Sequence, residues 1–506
     1  MKKFISYDLG TGGVKASLYD EKLRTLSKSF IEYGTCYPTP GYHEQAPADW
    51  WNGVAASTRL LMEQTQTKPE EIACLAISGH SLVTVPMDAQ GHELSEYVPI
   101  WSDTRAEKEA EEFFRTHDEE AWYMETGNGF PRACYSVFKL MWLKKNNPDL
   151  YSKIDKVLGS KDYINYKLTG KMYMDYSYAS GIGAYSLKKK TMSEDILRDA
   201  GIDPEIFPEI VSSDYVIGTV LPQAADEIGL SAQTMVACGG VDNACMALGS
   251  IGNEAGKVYT SLGSSSWIAV NSVEPVLDFK KKPYVFAHIE NHMYTSAFSI
   301  FAGGSSLRWV RDNLCRDLLA QEDPYTEMTE EIKQVPVGSG GIIFNPSLAG
   351  GTSQDKSINI HGAFVGLSLA SERRDMIHAA MEGIAMNLKM SLDNLKEHTK
   401  LGNQIQFCGG GAKNQYWMQM FADIFNMNII KTNIDQDAAS IGAAAIAAKA
   451  AGSISDYGII KELHRIEFEC TPDRHTAERY VKVQEVFEHI SEILSDLGDY
   501  MKSHLK

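Results

Sequence analysis

The chain has 506 residues, of which 44% are hydrophobic, 23% charged and 10% aromatic, and its formal net charge is −18. A chain of this length is expected to form two or more domains, and its acidic balance argues against nucleic acid and anionic membranes as partners. The cysteines are sparse and include no C-x-x-C pair, which argues against a disulfide scaffold. The lack of an apolar run of about 18 residues argues against a membrane helix, and an acidic residue near the start argues against a signal peptide. A cytoplasmic enzyme is therefore expected.

The first predicted element is a β-hairpin over residues 4–19. Its turn consists of small residues: Gly10, Thr11, Gly12 and Gly13. Consecutive N–H groups, the Thr11 hydroxyl and the nearby Lys15 suit a polyphosphate, and Asp8 at the end of the first strand could hold a hydrated Mg²⁺. An ordinary hairpin with a glycine turn explains the same residues equally well.

Two short apolar runs that end in glycine, at residues 72–79 and 235–240, predict buried strands. Asp242 and Asn243 follow the second run, and a helix is predicted to begin directly after them. An Asp at this place often serves as a helix N-cap. If it projects into a cleft instead, its carboxylate could take a proton from a hydroxyl that attacks a γ-phosphoryl group. The sequence leaves both interpretations open.

A second strand-turn-strand segment spans residues 258–270 and repeats the Leu-Gly-[Thr/Ser] pattern of the first hairpin. Leu262 lies 253 residues after Leu9, which is half the length of the chain. The turn that contains Gly263 and Ser264 is a second candidate phosphate cradle, although a serine-rich surface loop would look the same. The repeat suggests two domains of one ancestral fold that face each other.

A third glycine turn, at Gly409, Gly410 and Gly411, follows an apolar run and precedes a helix predicted to start near Gln415. Glycine lets a flat base lie against the backbone, and a helix N-terminus favours anions. The segment matches neither G-x-G-x-x-G nor the P-loop pattern. Together, the three glycine turns indicate a nucleotide held in a cleft between two domains.

Amphipathic helices separate the predicted strands. Apolar residues recur every three or four positions over 377–395, after a capping Ser371, and over 480–497, after a capping Thr476. Strands that alternate with helices indicate mixed α/β layers.

These elements divide the chain into two predicted domains, residues 1–247 and 248–506. The first contains the first glycine turn and the candidate base, and the second contains the other two glycine turns. The last helix, over residues 476–502, is suggested to pack back on the first domain.

Eight segments, in this order, resemble the FGGY carbohydrate kinases of the sugar kinase and actin-like ATPase superfamily. Residues 8–15 resemble the family's first phosphate motif, residues 101–105 its W-x-D-x-R segment, and residues 161–175 its K-D-Y…L-T-G…D stretch. Residues 239–243 resemble the catalytic-base motif and residues 261–264 the second phosphate motif. Residues 302–309 and 362–367 resemble two further glycine-containing motifs, and residues 409–412 resemble the adenosine motif.

The resemblance implies two actin-like ATPase (ribonuclease H-like) domains of the α/β class that flank an interdomain cleft. The first would carry the sugar site, the first phosphate motif and the base, and the second would carry the nucleotide. It implies a homodimer that uses ATP and Mg²⁺ to phosphorylate a hydroxyl of a small sugar, with Asp242 as the base and Asp8 at the metal. The implied ATP-binding residues are Thr11, Gly12, Gly13, Lys15, Gly263, Ser264, Gly304, Gly410, Gly411 and Asn414.

The sugar site departs from the family patterns. Ser81 and Leu82 stand where glycerol kinases carry an Arg-Glu pair and xylulokinases carry Met-His. The spacing still resembles the xylulokinase and gluconate kinase branch, so a ketopentose such as xylulose is expected, with a sugar acid or polyol as the alternative and a non-catalytic ATP-binding protein as a more distant one. The implied substrate-binding residues are His80, Ser81, Trp101, Asp103, Asp242 and Asn243. Alternatively, His80, Ser81, Trp101 and Asp103 could pack behind the site without contacting the sugar, because buried polar groups need hydrogen-bond partners whatever their function. Residues 346–351 also depart from the family pattern, without a clear meaning.

Overall fold

The structure is a computed structural model and describes residues 2–505. Each half of the chain is built around a seven-stranded sheet, and helices cover the sheets to give mixed α/β layers. No helix within residues 2–505 is long and apolar enough to cross a membrane.

The sheet of the first half has the strand order β13-β14-β5-β1-β2-β3, and β15 pairs with β5. The strands of this half are β1 (Lys3–Gly10), β2 (Gly13–Tyr19), β3 (Thr25–Glu32), β4 (Glu44–Gln45), β5 (Ile72–Gly79), β6 (Val85–Met87), β7 (Val98–Pro99), β8 (Lys156–Leu158), β9 (Tyr173–Asp175), β10 (Tyr185–Ser186), β11 (Thr191–Met192), β12 (Glu209–Val211), β13 (Val216–Thr219), β14 (Met235–Ala237) and β15 (Gly240–Val241). β1 and β2 form the predicted antiparallel hairpin. β5 runs parallel to β1, and its apolar sequence is buried on both faces, as is typical of parallel strands.

Ten helices of the first half cover this sheet and its extensions. They are α1 (Pro47–Thr65), α2 (Glu107–Phe114), α3 (Glu119–Thr126), α4 (Ser136–Asn146), α5 (Pro148–Tyr151), α6 (Ser160–Thr169), α7 (Tyr176–Ala179), α8 (Glu194–Asp199), α9 (Pro222–Ile228) and α10 (Asp242–Ile251). The helix after the second apolar run therefore begins at Asp242 itself.

The sheet of the second half repeats the arrangement around its first hairpin. Its strand order is β18-β19-β17-β16-β22-β23-β24. The strands are β16 (Val258–Leu262), β17 (Ser266–Ser272), β18 (Tyr284–Ala287), β19 (Tyr294–Ile300), β20 (Ile343–Asn345), β21 (Ala363–Val365), β22 (Gln404–Cys408), β23 (Asn428–Thr432) and β24 (Ile466–Cys470). β16 pairs antiparallel with β17 and parallel with β22, as β1 does with β2 and β5, so the two hairpins occupy equivalent places in their sheets.

The helices of the second half begin slightly away from their predicted caps. They are α11 (Gly304–Leu314), α12 (Pro324–Ile332), α13 (Arg373–His398), α14 (Gln415–Phe425), α15 (Ala438–Ala450), α16 (Ile459–Leu463) and α17 (Arg474–His504). Glu372, not Ser371, is the N-cap of α13. Asp473 caps α17 by accepting the N–H of Thr476 at 2.8 Å, so Thr476 is the capped residue and not the cap.

Within residues 2–505 the main contacts of the terminal helix are with the second half, whereas its sequence had suggested that it packs back on the first. α17 lies against α13, α14 and β20, and it buries Tyr480 and Phe487 in their core. Its apolar stripe required a buried face, but it did not specify the partner.

A different helix of the second half crosses to the first. α15 packs along α10 and against β1 and β5. The two helices approach closely through Gly249 and Gly442, where an added Cβ would lie 1.8 Å from the carbonyl oxygen of Ala438 and 2.1 Å from that of Cys245. The predicted boundary at residue 248 falls inside α10, at this crossing.

Candidate active site

Asp242 stands at the start of α10, directly after the short strand β15. The turn before it requires glycine, because Gly239 has φ +75° and its added Cβ would lie 2.2 Å from the carbonyl oxygen of Ile77. Val241 is the N-cap of α10, and Asp242 Oδ1 accepts only the adjacent N–H of Asn243, at 2.8 Å. The helix-capping interpretation of Asp242 is therefore wrong.

The carboxyl group of Asp242 is partly exposed but surrounded by protein. Burial is the main cause that raises the pKa of Asp242 to about 7; the Asn243 N–H opposes this rise, and the negative charge of Asp8 adds to it. A carboxylate with a pKa near neutrality can both accept and release a proton under ordinary conditions. Asn243 is half-buried beside it.

Asp8 lies at the same edge of the sheet as Asp242. In the strand register Asp8 stands opposite Ser78 of β5, and Ser78 stands opposite Gly240 of β15. The hydroxyl of Ser78 donates to Asp8 Oδ1 at 3.1 Å. Burial raises the pKa of Asp8, and the neighbouring charge of Lys15 opposes that shift.

Asp8 fits the metal role that the sequence suggested. Within residues 2–505 no group of three or more His, Cys, Asp or Glu side chains forms a self-contained metal site. Mg²⁺ in phosphoryl-transfer sites takes one or two carboxylates and completes its shell with phosphate oxygens and water, so a single carboxylate beside a phosphate turn suffices.

The first glycine turn is held by contacts from elsewhere in the first half. Trp101 Nε1 donates to the hydroxyl of Thr11 at 2.9 Å. An added Cβ at Gly13 would lie 2.5 Å from the carbonyl oxygen of Ile31, so this glycine is needed for strand packing, whereas Gly12 has no neighbouring atom within 4 Å. Of the two glycines, Gly12 is the one that leaves space for a ligand.

Lys15 connects the two halves of the chain. Its Nζ donates to the carbonyl oxygen of Gln436 at 2.7 Å and lies 3.8 Å from a carboxylate oxygen of Asp437. Asp437 also pairs with Lys28. The predicted phosphate ligand Lys15 is therefore engaged with the N-terminal end of α15.

Six of the predicted ATP-binding residues line one cavity of about 720 Å³ in the second half, here called the glycine-lined cavity. They are Gly263, Ser264, Gly304, Gly410, Gly411 and Asn414. The first-turn residues Thr11, Gly12, Gly13 and Lys15 are not part of its lining, but Gln436, which binds Lys15, is. The structure thus brings together the glycine turns of the second half. The bond from the Lys15 side chain to the main-chain carbonyl of Gln436 connects this cavity to the first half.

Close backbone packing explains one glycine of this cavity, Gly304. The N–H of Gly304 donates to the carbonyl oxygen of Gly263 at 2.9 Å, and an added Cβ at Gly304 would lie 2.4 Å from that oxygen. Asn414 caps α14, with Oδ1 accepting the N–H of Trp417 at 3.0 Å and Nδ2 donating to Thr329 at 2.7 Å. Asn414 therefore shapes the cavity wall through its structural contacts.

Sequence reasoning missed several residues that line the cavity. They include Arg308, Tyr325, Lys413 and Tyr416. Two cations and two aromatic rings suit an anionic ligand with a flat base. Arg308 lies in the motif at residues 302–309 and Lys413 follows the glycine turn at 409–411, whereas no local pattern marks Tyr325 or Tyr416.

The predicted sugar loop is almost completely buried. His80 and Ser81 are 2% and 8% exposed. His80 Nδ1 lies 3.1 Å from the carbonyl oxygen of Leu9, and because a carbonyl only accepts, Nδ1 carries the proton. Burial lowers the pKa of His80 to about 4, so the ring is neutral, and its Nε2 is an acceptor without a protein partner in residues 2–505.

Leu82 and a buried lysine support the same loop. Leu82 has φ +61°, a left-handed conformation that is costly for a branched side chain. Lys139 Nζ donates to the carbonyl oxygens of Leu82 at 2.9 Å and Ile100 at 2.6 Å. Burial lowers the pKa of Lys139 to about 8. Sequence reasoning missed Lys139, and a lysine within the apolar run of α4 was the available signal.

Trp101 and Asp103 differ sharply in exposure. Trp101 is 36% exposed and Asp103 is fully buried. The carboxylate of Asp103 accepts the N–H of His43 at 2.7 Å and the guanidinium of Arg105 at 2.9 and 2.7 Å. These contacts leave Asp103 no surface for a sugar, so its place in the predicted substrate site is corrected to a support for Arg105 and the His43 segment.

Comparison with known proteins identifies relatives along nearly the whole chain. The models of the FGGY family of carbohydrate kinases match residues 4–249 (N-terminal domain) and 258–451 (C-terminal domain). The chain is 29% identical to the xylulose kinase of Bacillus subtilis (strain 168) over 100% of both proteins, and 28% identical to the gluconokinase of Bacillus licheniformis over 99% of this chain and 98% of that protein.

Two solved structures have the same fold. The ligand-bound xylulose kinase from Lactobacillus acidophilus superposes with a TM-score of 0.90 at 25% identity, covering 98% of this chain and 99% of that one. The gluconate kinase from Lactobacillus acidophilus also gives a TM-score of 0.90 at 25% identity, with 98% of each chain covered.

Proposed function

The chain belongs to the FGGY family of carbohydrate kinases, and we propose that it phosphorylates a ketopentose such as xylulose, with Asp242 as the general base. Membership makes it a phosphotransferase that acts on a sugar hydroxyl, with ATP as the phosphoryl donor. The position of Asp242 carries the mechanistic part of the proposal. It begins a helix that it does not cap, it is partly exposed, and its pKa is raised to about 7.

In the proposed mechanism, Asp242 accepts the proton of a sugar hydroxyl as that oxygen attacks the γ-phosphorus of ATP. The bond between the γ-phosphorus and the β–γ bridging oxygen breaks, and ADP leaves. Asp8 would hold Mg²⁺, which when bound neutralises charge on the phosphate oxygens. Thr11 and Gly12 would face the phosphates from the first half.

The glycine-lined cavity is the proposed ATP site. Ser264, in the turn beside Gly263 and Gly304, would contact phosphates, while Gly410 and Gly411 would let adenosine lie against the backbone. Arg308 and Tyr416 add positive charge and an aromatic face to the same cavity.

On the sugar side, the buried His80 Nε2, which has no hydrogen-bond partner within residues 2–505, would accept a hydrogen bond from a sugar hydroxyl. Trp101, which is exposed and bonded to Thr11, would form a wall of the site. Ser81 and Asn243 would offer further polar contacts beside Asp242. Neither the Arg-Glu nor the Met-His pair is present, so the proposed site recognises its sugar without a charged clamp.

A sugar acid such as gluconate is the second candidate substrate. The gluconokinase relative matches the chain over nearly the same length and identity as the xylulose kinase. The proposal also includes a cytoplasmic homodimer, for which light scattering after size-exclusion chromatography is the direct measurement.

A coupled assay of ADP release with xylulose, ribulose, gluconate, glycerol and erythritol tests the substrate. We expect xylulose to give the highest kcat/KM; a higher value for gluconate would move the proposal to sugar acids. ATP hydrolysis that no sugar stimulates would contradict this substrate class and would favour a non-catalytic ATP-binding role.

Asp242→Asn tests the base. We expect kcat to fall about 10²–10⁴-fold while ATP still binds, because proton transfer is lost but the glycine-lined cavity is intact. Asp20→Asn is the matched control, since Asp20 follows β2 at the opposite end of the hairpin from the glycine turn. Substantial activity in Asp242→Asn would refute the assigned base.

A further inference from the structure

A buried ion pair lies beneath the turn that carries Asp242. Lys161 and Asp175 are both fully buried, and Lys161 Nζ lies 3.0 Å from Asp175 Oδ1 while also pairing with Asp162. Charges without solvent are costly unless every donor and acceptor is satisfied. The remaining bonds of this cluster therefore indicate what it supports.

Lys161 supports the entry to the turn. Its Nζ donates to the carbonyl oxygen of Cys238 at 3.2 Å, and Asn165 Nδ2 donates to the same oxygen at 2.8 Å. Cys238 directly precedes Gly239 and Gly240. These two bonds thus fix the main chain on the N-terminal side of Gly239 and Gly240.

Asp175 supports the far side of the turn through Ser177. The hydroxyl of Ser177 donates to Asp175 Oδ2, and its oxygen accepts the N–H of Val241 at 3.0 Å. Because the single hydroxyl proton is committed to the carboxylate, the lone pairs of Ser177 stay directed away from it and toward Val241. Val241 is covalently bonded to Asp242.

We infer that Lys161, Asp175 and Ser177 form a positioning network that sets the direction in which Asp242 projects. The inference rests on the proposed role of Asp242 as the base. Two consecutive glycines give the turn little rigidity of its own, so its conformation is set by its surroundings. The bonds to Cys238 and Val241 act together with the pairing of β15 to β5 and the bond from the Gly239 N–H to the carbonyl oxygen of Ser213 at 2.9 Å. A displacement of about 1 Å at a reacting group can cost about 10²-fold in rate.

Ser177→Ala is the most selective test, because it removes the acceptor of the Val241 N–H and leaves the buried ion pair in place. Asp175 also accepts the N–H groups of Ser177 and Tyr178 as the N-cap of α7, so its replacement would disturb a helix as well. We expect kcat of Ser177→Ala to fall roughly 10–100-fold, with KM for ATP and sugar within about twofold of wild type. Ser177→Thr, which keeps the hydroxyl, should recover most of the loss.

Ser213→Ala is the matched control. Ser213 is equally buried and its hydroxyl donates to the same Asp175 oxygen at 2.8 Å, but that hydroxyl does not contact Val241. Both variants lose one hydrogen bond to the carboxylate. Ser177→Ala also leaves the Val241 N–H without its acceptor, so it should lose more thermal stability than Ser213→Ala. Only Ser177→Ala should show the selective fall in kcat.

A double variant connects the effect to the base. In an Asp242→Asn background, Ser177→Ala should lower kcat by less than about twofold, because the network acts through Asp242. Equal kcat losses in Ser177→Ala and Ser213→Ala, or a kcat within about threefold of wild type in Ser177→Ala, would overturn the network. If Asp242→Asn itself stays active, the base assignment fails instead, so the two failures are distinguishable.

Discussion

Gly410→Val separates ATP binding from folding in the glycine-lined cavity. Gly410 is exposed, its φ lies outside the left-handed range, and an added Cβ would meet no atom within 4 Å. The neighbouring Gly411 is different, because its added Cβ would lie 2.6 Å from the side chain of Leu262. A side chain at Gly410 therefore occupies space that only a ligand would use.

The expected magnitude follows from this geometry. Replacing glycine in a compatible conformation leaves the free energy of unfolding unchanged or raises it by up to about 1 kcal/mol, because the unfolded chain loses entropy. Forcing extra methyl groups into a well-packed contact costs about 1–3 kcal/mol, which corresponds to roughly 5–150-fold weaker ATP binding.

The assay compares KM for ATP, KM for sugar and the melting temperature in Gly410→Val and in Gly34→Val. Gly34 is also exposed, with no atom within 4 Å of an added Cβ, but it does not line the cavity. We expect only Gly410→Val to raise KM for ATP, with both melting temperatures preserved. An unchanged KM for ATP, or a rise in KM for sugar alone, would refute the assignment of this cavity to ATP.

Three further predictions use the buried titratable groups. Because Asp242 must be ionised to accept a proton and its pKa is about 7, kcat/KM for sugar should fall about tenfold per unit below pH 7, and a flat pH profile would contradict its role. Lys139→Met should raise KM for sugar about tenfold and leave KM for ATP within about twofold, because the carbonyl oxygens of Leu82 and Ile100 lose their shared donor. Steady-state kinetics with each substrate varied in turn would measure both constants. Equal changes in KM for sugar and KM for ATP would indicate that Lys139 only supports folding. Burial lowers the pKa of His288 to about 4, so the unfolded chain binds the proton first as pH falls from about 6.5, and His288 should account for about 2 kcal/mol of the free energy of unfolding that is lost between pH 7 and pH 5; in denaturant unfolding, His288→Gln should lose that much less than wild type.

The sequence located the site elements whose geometry is local. A strand that ends in glycine, followed by small polar residues, forms its turn from neighbouring residues alone, so the hairpins at Gly10 and Gly263 and the turn at Gly409 were predictable. The order of the motifs and the 253-residue repeat then indicated two related halves, which the sheets of the structure share.

Contacts between distant segments could not be predicted in the same way. An apolar stripe shows that a helix buries one face, but several surfaces can cover it, so the sequence did not reveal that α17 packs within the second half while α15 crosses to the first. Likewise, a carboxylate in a motif has no marker of exposure, and only the fold shows that Arg105 and His43 enclose Asp103.

For this chain, the sequence alone determined the class of protein and the turns that carry its chemistry, because glycine conformation and strand-turn patterns are properties of adjacent residues. Only the tertiary structure decided how those turns are supported: Lys15 by Gln436, Leu82 by Lys139, and Val241 by Ser177. Each of these bonds joins residues that are at least 57 positions apart in the chain. Such pairs are selected by the packing of the whole chain, and no local pattern encodes them.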